Sequence, residues 1–231
     1  MKFTTKIAYS LLPSYVWTAI LKEWKLRKFG KQIKSYANQQ KLQQIKKQSN
    51  LNLHIGCGKR IMPNWVNIDI FQGQQIDLQL DFRQPLPFDD NSVTMIYSEH
   101  VLEHIFKEDA LVLLKEFHRV LKKGGIARIG VPDAEIYFKA YINKDRDFFA
   151  KLKRLGGAVI PLDTPIDVIN QMFRMGGDHL FAWDFETLSK GLKEAGFENI
   201  TKWDSCKASS TEICLDDPEH EFETLYVEVV K

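Results

Sequence analysis

Residues 51–69 read LNLHIGCGKRIMPNWVNID, and they give the clearest indication of how this 231-residue chain folds. A short apolar run, Leu51–Ile55, leads into Gly56–Gly58, and a second run ends at Asp69. Apolar runs of this length next to glycine predict buried strands, and glycine lets the backbone approach a ligand closely. We therefore expect two strands of a parallel sheet, with a ligand at their carboxyl ends.

Strand and helix patterns alternate over the rest of the chain. The stretch from 133 to 182 is less regular, and Asp184 is expected to cap a helix that ends at Gly196. Further strands are predicted at 76–80, 93–97, 126–131, 200–203 and 224–230. This alternation predicts an α/β domain over residues 51–231, with a doubly wound, mostly parallel, seven-stranded Rossmann-like sheet.

One helix is strongly periodic and should follow the fourth strand. Leu111, Leu114 and Leu121 fall on one face of it. Acidic residues lie in its first turn, and Lys122–Gly124 are expected to close its end, as the helix dipole and the C-cap preference for glycine favour.

The first fifty residues differ from the rest in charge. Residues 1–50 hold eleven lysines and arginines and one acidic residue, whereas residues 51–231 are net acidic. Ile7–Leu21 is apolar but shorter than the roughly 20 residues that span a bilayer. A helical N-terminal extension is therefore predicted, which either lies on a membrane surface or packs against the domain. Three cysteines without paired spacing favour a reducing cytoplasm.

Gly56–Gly58 and Asp69 together favour an adenosine-type cofactor, because a carboxylate at the end of the second strand can accept hydrogen bonds from both ribose hydroxyls. NAD and S-adenosylmethionine are the two alternatives. Only seven residues separate Gly58 from Val66, which leaves no room for the long helix that binds a pyrophosphate. S-adenosylmethionine has no phosphate and is favoured.

The chain resembles class I S-adenosylmethionine-dependent methyltransferases, and fits best the subgroup called methyltransferase type 11-like. The match covers about residues 51–131 well and 179–204 more loosely, and Arg60 departs from it where many members have a third glycine. The motifs that carry the resemblance are residues 53–58, 64–69, 81–92, 98–104 and 116–125, which read LHIGCG, NWVNID, DFRQPLPFDDNS, SEHVLEH and EFHRVLKKGG.

The resemblance implies a role for each matching position. The backbone of Gly56, Cys57 and Gly58 would meet the methionine part of the cofactor, and Asp69 would hold the ribose. The other implied cofactor contacts are Asp81 and Phe82 beside the adenine, and Ser98 and Glu99 near the methionine end. Alternatively, Asp81 is a turn residue before Pro85.

Histidine is the side chain best suited to accept a proton near neutral pH. His100 follows the fourth strand and His179 lies in a loop that can cover a substrate, so these two are the candidate catalytic bases. His104 is expected to pack or cap, and His54 to be a satisfied core residue. No metal site is expected, because the HExxH pattern is absent around His100 and His104.

These features predict a methyltransferase that acts on a small or glycan-like acceptor, at an oxygen atom. A membrane-proximal saccharide is the leading acceptor, through peripheral membrane contact of residues 1–50. The alternatives are a soluble metabolite or quinone-like ring as acceptor, and a cofactor-binding partner protein without catalysis. Nucleic-acid binding is not expected, because the basic segment lacks a recognisable nucleic-acid-binding motif.

Overall fold

The computed structural model describes residues 36–71, 75–156, 158 and 160–231. The apolar run 7–21 and most of the basic segment lie outside these residues. Within the described part of the chain, no helix has both the length and the apolar character needed to cross a bilayer.

Seven strands form a single sheet, as predicted. The order across the sheet is β3-β2-β1-β4-β5-β7-β6. The first five strands pair in parallel, whereas β7 runs antiparallel to both β5 and β6. The strands are β1 Leu51–Ile55, β2 Val66–Asp69, β3 Leu78–Gln79, β4 Val93–Glu99, β5 Leu121–Pro132, β6 Asn199–Trp203 and β7 Thr224–Val230. The strand order reverses at β1 and β4, and this switch point is where a ligand binds in such sheets.

Six α-helices accompany the sheet in the described residues. They are α1 Tyr36–Ile45, α2 Lys107–Val120, α3 Ala134–Asn143, α4 Arg146–Leu155, α5 Pro165–Arg174 and α6 Phe185–Glu194, and short 3-10 helices cover Leu102–His104 and Met175–Gly177. The Asp184 side chain caps α6 by accepting a hydrogen bond from the backbone N–H of Thr187 at 2.8 Å, which confirms its predicted role. Gly196 follows the helix with a φ of +107°.

The expectation of an irregular stretch between 133 and 182 is wrong. This stretch forms α3, α4 and α5, whose apolar faces make a second core beside the main one. Asp133 and Asp145 cap the first two helices through their side chains. Each helix has only ten residues, so their mutual packing stabilises them more than their own sequence does.

Two element boundaries also differ from the prediction. Helix α2 ends at Val120, and Leu121 begins β5, so Lys122–Gly124 belong to the strand rather than to the helix end. Strand β3 is limited to Leu78–Gln79 because Asp77 turns its carboxylate to the backbone N–H of Asn67, at 2.8 Å.

Helix α1 packs against the free edge of β3. Asn38 exchanges two hydrogen bonds with the backbone of Gln79, at 2.9 and 3.0 Å, and Ile45 is buried against the main core. The described end of the N-terminal extension therefore contacts the domain. The boundary at residue 50 stays a prediction.

Candidate active site

The glycine turn follows β1 at the switch point. The backbone N–H groups of Gly56 and Cys57 both donate to the carbonyl of Ile68, at 2.9 and 3.0 Å. Gly56 has a φ of +74°, and a Cβ there would lie 2.1 Å from Val101 Cγ2. A Cβ on Gly58 would meet nothing within 4 Å. The first glycine is therefore required by packing, whereas the second borders open space.

Cys57 is buried in this turn. Burial, together with the charge of Asp69, raises the pKa of its thiol to about 12. A thiol with that pKa is not a nucleophile at neutral pH, so the Cys57 side chain packs inside the turn.

Asp69 lies directly beside the glycine turn. Its Oδ2 accepts a hydrogen bond from the backbone N–H of Gly58 and its Oδ1 accepts one from Phe71, both at 2.8 Å. Each carboxylate oxygen has a second lone-pair direction. The carboxylate is thus held rigidly at the end of β2 and keeps capacity for two further donors, such as ribose hydroxyls.

Asp81 and Phe82 follow β3 on the same edge of the sheet. The Asp81 carboxylate accepts from Arg83 Nε at 2.9 Å and from Nη2 at 2.6 Å. Partial burial alone would raise the pKa of Asp81, but the bonds from Arg83 outweigh it and lower that pKa. Phe82 is buried. The structure therefore makes Asp81 a turn residue paired with Arg83, and its contact with adenine stays a prediction.

Ser98 and Glu99 end β4. The Ser98 hydroxyl is buried and has no hydrogen-bond partner among the described residues. Glu99 has many partners. Its carboxylate accepts from the hydroxyls of Tyr97 at 2.9 Å and Tyr226 at 2.5 Å, and Arg60 Nη1 lies 2.9 Å away.

Arg60 connects the glycine turn to a C-terminal loop. Besides its bond to Glu99, its Nη2 donates to the carbonyls of Leu215 and Asp216. The residue at which the chain departs from the family pattern therefore holds residues 215–216 against the switch point. No local sequence pattern predicts this contact, because the two segments lie about 155 residues apart.

These features fit S-adenosylmethionine. The open space beside Gly58, the spare acceptor capacity of Asp69 and the orphaned hydroxyl of Ser98 all lie at the carboxyl ends of β1, β2 and β4. No side chain of the described residues fills the space beside Gly58. The roles of the individual residues toward the cofactor stay predictions.

A cavity of about 270 Å³ opens at the end of β4. One part of its wall is apolar and comes from α3, α4 and α5 with the segments that follow them. The polar part is formed by His100, His104, His179, His220 and Glu223. Both predicted bases therefore line one cavity, together with His104, which was expected only to pack or cap.

His100 lies in a tight turn with a φ of +53°. Its Nε2 is 3.0 Å from Thr224 Oγ1 and its Nδ1 is 3.2 Å from Glu103 Oε1. Burial alone would lower the pKa of His100, but Glu103 and the more distant Glu223 and Glu99 outweigh it and raise the pKa to about 9. His100 is therefore an imidazolium at neutral pH.

His179, unlike His100, is a neutral imidazole. Its Nδ1 donates to the carbonyl of Met172, so its Nε2 carries no hydrogen. Burial lowers its pKa. The segment is held in place by the carbonyl of Glu103, which accepts from the backbone N–H groups of Leu180 and Phe181. The neutral imidazole of His179 is far from His104 in sequence, but in the fold the two ring centroids are only 4.7 Å apart.

His220 and Glu223 were missed by the sequence analysis. They precede β7, and His220 Nδ1 lies 2.5 Å from Glu223 Oε1. The imidazole of His220 also contacts that of His100, with ring centroids 4.8 Å apart. Their three-residue spacing just before a predicted strand could have identified them as site residues.

His54 and His118 lie away from the cavity. His54 is buried in β1 and its Nδ1 is 3.2 Å from Asn67 Oδ1, so it is the satisfied core residue that was predicted. His118 packs edge-to-face against Phe197.

The chain is similar to known methyltransferases in sequence over part of its length and in structure. Residues 53–129 match the model of a family described as a methyltransferase domain. The chain is similar in structure to S-adenosylmethionine-dependent methyltransferases from Thermotoga maritima, Archaeoglobus fulgidus and Mesorhizobium loti. Sequence identities are 17%, 14% and 14%, each with a TM-score of 0.46. The similarities cover 84%, 84% and 86% of this chain, and 88%, 90% and 100% of the others. No protein of curated function matches significantly.

Proposed function

We propose that this chain, an S-adenosylmethionine-dependent methyltransferase with its methyltransferase domain at residues 53–129, methylates a hydroxyl oxygen of a small or glycan-like acceptor. The observation that carries the proposal is the cavity at the end of β4, which is lined by a cationic imidazole, His100, and a neutral one, His179. That space adjoins the strand ends expected to hold the cofactor.

S-adenosylmethionine supplies a methyl group on a positively charged sulfur, which is already a good leaving group. The protein therefore contributes mainly alignment, and well-oriented reactants gain roughly 7–11 kcal/mol in this way. Asp69 and the Gly56–Gly58 backbone would fix the cofactor, Phe82 would adjoin its base, and Ser98 with the Arg60–Glu99 pair would close its methionine end.

The two histidines would divide the work on the acceptor. His179 Nε2 is free of hydrogen and can take the proton of a hydroxyl as its oxygen bonds to the methyl carbon. Both ring nitrogens of His100 already have neighbours, Thr224 and Glu103, so His100 would act through the positive charge of its imidazolium near that oxygen. A neutral base and a nearby cation suit a hydroxyl acceptor, because its proton must leave.

The wall of the cavity bears on the acceptor class. Leu152, Leu162, Val168 and Met172 supply apolar lining to the same cavity as the histidines, which suits an acceptor whose hydroxyl is attached to an apolar body. A saccharide joined to a lipid meets this requirement, and the basic segment 1–50 would bring the enzyme to an anionic membrane surface. The same apolar wall favours a quinone-like ring as the second candidate.

The decisive experiment identifies the methylated product. The purified chain is incubated with methyl-labelled S-adenosylmethionine and separated fractions of cell extract, and the labelled product is characterised by mass spectrometry and NMR. We expect an O-methyl group on a saccharide or, for the second candidate, on a ring hydroxyl. Label only on nitrogen or carbon would overturn the proposal.

Substitutions test the assigned roles. His179→Gln and His100→Gln should each lower kcat by about 10²–10⁴-fold, the usual contribution of acid–base catalysis, with unchanged cofactor binding. His118→Gln is the matched control and should keep full activity, because it lies outside the cavity. Flotation with anionic liposomes, with and without residues 1–50, tests the membrane contact. Equal partitioning would remove it.

A further inference from the structure

Glu103 is a buried carboxylate whose close contacts all fall on one oxygen. Its side chain is 2% exposed, and its Oε1 pairs with His100 Nδ1 at 3.2 Å. His104 Nε2 lies 4.0 Å from the same oxygen. The other oxygen, Oε2, is buried and has no hydrogen-bond partner among the described residues, and a buried carboxylate oxygen is costly unless it is paired or binds a cation.

Two imidazoles next to Glu103 are pre-oriented in the same way. His104 Nδ1 donates to the carbonyl of Asp178 at 3.2 Å, and His179 Nδ1 donates to the carbonyl of Met172. Among the described residues neither Nε2 has a hydrogen-bond partner. A metal-binding histidine almost always donates its other ring N–H to a carbonyl or carboxylate, which fixes the tautomer and directs the free nitrogen to the ion.

The three side chains converge. One ligand atom from each of Glu103, His104 and His179 lies within 4.8 Å of the other two. Ligands at 2.0–2.2 Å from a tetrahedral ion are about 3.4 Å apart, so binding requires atoms that are up to 4.8 Å apart to approach by at most about 1.4 Å. His104 and His179 line the cavity, which leaves the remaining coordination position open to a ligand there.

A second group, formed by His100, His220 and Glu223, has similar spacing but needs no ion. His220 Nδ1 contacts one oxygen of Glu223, and the Tyr137 hydroxyl donates to the other. Both nitrogens of His100 already have neighbours, Thr224 and Glu103. Its polar atoms satisfy one another, whereas among the described residues Glu103 Oε2 and the Nε2 atoms of His104 and His179 have no hydrogen-bond partner.

We propose that Glu103, His104 and His179 bind one divalent transition-metal ion at the wall of the acceptor cavity. Two imidazoles and one carboxylate, with one position open, form the ligand set of catalytic zinc sites, and Zn²⁺ is the ion that this set favours. The absence of HExxH predicted no metal site, and only the fold brings His179 beside Glu103.

The ion would act on the same hydroxyl as the proposed reaction. A bound cation lowers the pKa of an oxygen that it coordinates. With the ion bound, His179 would be a ligand rather than the base, and the proton of the coordinated hydroxyl would pass to solvent water. This use rests on the proposed function, whereas binding of the ion does not.

Cobalt(II) titration tests the site directly. The full chain is stripped with a chelator and titrated with CoCl₂, with visible absorption as the readout, and bound Zn²⁺ is counted by elemental analysis after reloading. We expect one equivalent of metal and the intense absorption of low-coordinate cobalt. Glu103→Gln and His179→Gln should each weaken Co²⁺ binding about 100-fold or more. Removing an outer-shell partner costs about 10–100-fold, and loss of a direct ligand should cost at least as much.

Two further variants complete the test, and circular dichroism confirms that each variant is folded. His118→Gln should bind Co²⁺ like the unsubstituted chain, and so should His220→Gln, which alters only the second group. Absence of stoichiometric binding, or loss on His220→Gln but not on His179→Gln, would overturn the assignment. S-adenosylmethionine binding and methyl transfer by the metal-free chain are measured in parallel. Activity that persists without metal would leave the proposed function standing while removing the ion from it.

Discussion

Arg128 on β5 and Asp216 form an ion pair that is fully closed to solvent. Arg128 Nε lies 2.6 Å from Asp216 Oδ1, and Nη1 lies 2.8 Å from Glu228 Oε1 on β7. The carbonyl of Asp216 also accepts from Arg60. The buried pair therefore fixes the C-terminal loop against the sheet, at the place where the loop contacts the glycine turn.

Replacing Arg128 should destabilise the whole domain. In Arg128→Met, Asp216 and Glu228 would be buried without a cation, and breaking a buried pair in this way costs about 3–5 kcal/mol. Urea denaturation followed by circular dichroism measures the change. Lys139→Met is the control, since it removes an exposed pair with Glu135 on α3 and should leave the midpoint unchanged. A similar midpoint for both variants would contradict a structural role for Arg128.

The two glycines of the turn should respond differently to the same substitution. Gly56→Ala places a methyl group 2.1 Å from Val101 Cγ2, so overpacking and a positive φ together should cost about 2–5 kcal/mol. Gly58→Ala meets open space and should cost only the backbone term of about 1–2 kcal/mol. Thermal denaturation compares the two.

Gly58→Ala should also differ from Gly56→Ala in its affinity for S-adenosylmethionine. The methyl group of Gly58→Ala would occupy the space expected for the cofactor, so isothermal titration should show markedly weaker S-adenosylmethionine binding in a folded protein. If Gly58→Ala binds the cofactor normally, that space is not part of the cofactor site.

The sequence was informative where structure depends on local patterns. The run before Gly56, the carboxylate at Asp69 and the periodic face of α2 follow from spacing within about twenty residues. They sufficed for the sheet and for the position of the glycine turn. Helices α3 to α5 were missed because each is short and is stabilised by packing against the others, which no single window of sequence reveals.

The site was less predictable because its contacts are long-range. His100 and His179 were proposed separately, and only the fold shows that both face one cavity and that His179 approaches Glu103. Arg60 and Asp216 are a similar case: neither lies in a pattern that points to the other. The charge states of the histidines also depend on burial and on neighbouring carboxylates, which the sequence does not give.

Asp69 should determine cofactor affinity. Both of its oxygens already accept backbone N–H groups, so the amide of Asp69→Asn would oppose one of those donors as well as weaken the bonds to ribose. Hydrogen bonds to a charged group contribute about 1.5–3 kcal/mol, and the Kd for S-adenosylmethionine should rise about 10–150-fold in isothermal titration. Asp89→Asn, the same change at an exposed carboxylate, should leave the Kd unaltered. Equal affinities in folded variants would remove Asp69 from the site.

His54 should make stability depend on pH. Burial lowers the pKa of His54 to about 4, although its hydrogen bond to Asn67 opposes this. In the unfolded chain the pKa is about 6.5. Between these values the unfolded chain binds a proton that the folded chain does not, so the free energy of unfolding falls as the pH decreases. This contribution is complete above about pH 6.5 and is lost progressively toward pH 4.

The pH dependence can be assigned to His54 by comparing slopes. One pKa unit corresponds to about 1.4 kcal/mol, so lowering the pH from 7 to 5 should remove about 2 kcal/mol through this residue. In His54→Gln that part of the slope should disappear, even if the variant is less stable at pH 7. His118→Gln changes a half-buried imidazole and should alter the slope much less. Urea denaturation at a series of pH values measures all three proteins, and parallel curves for His54→Gln and the unsubstituted chain would show that folding does not lower the pKa of His54.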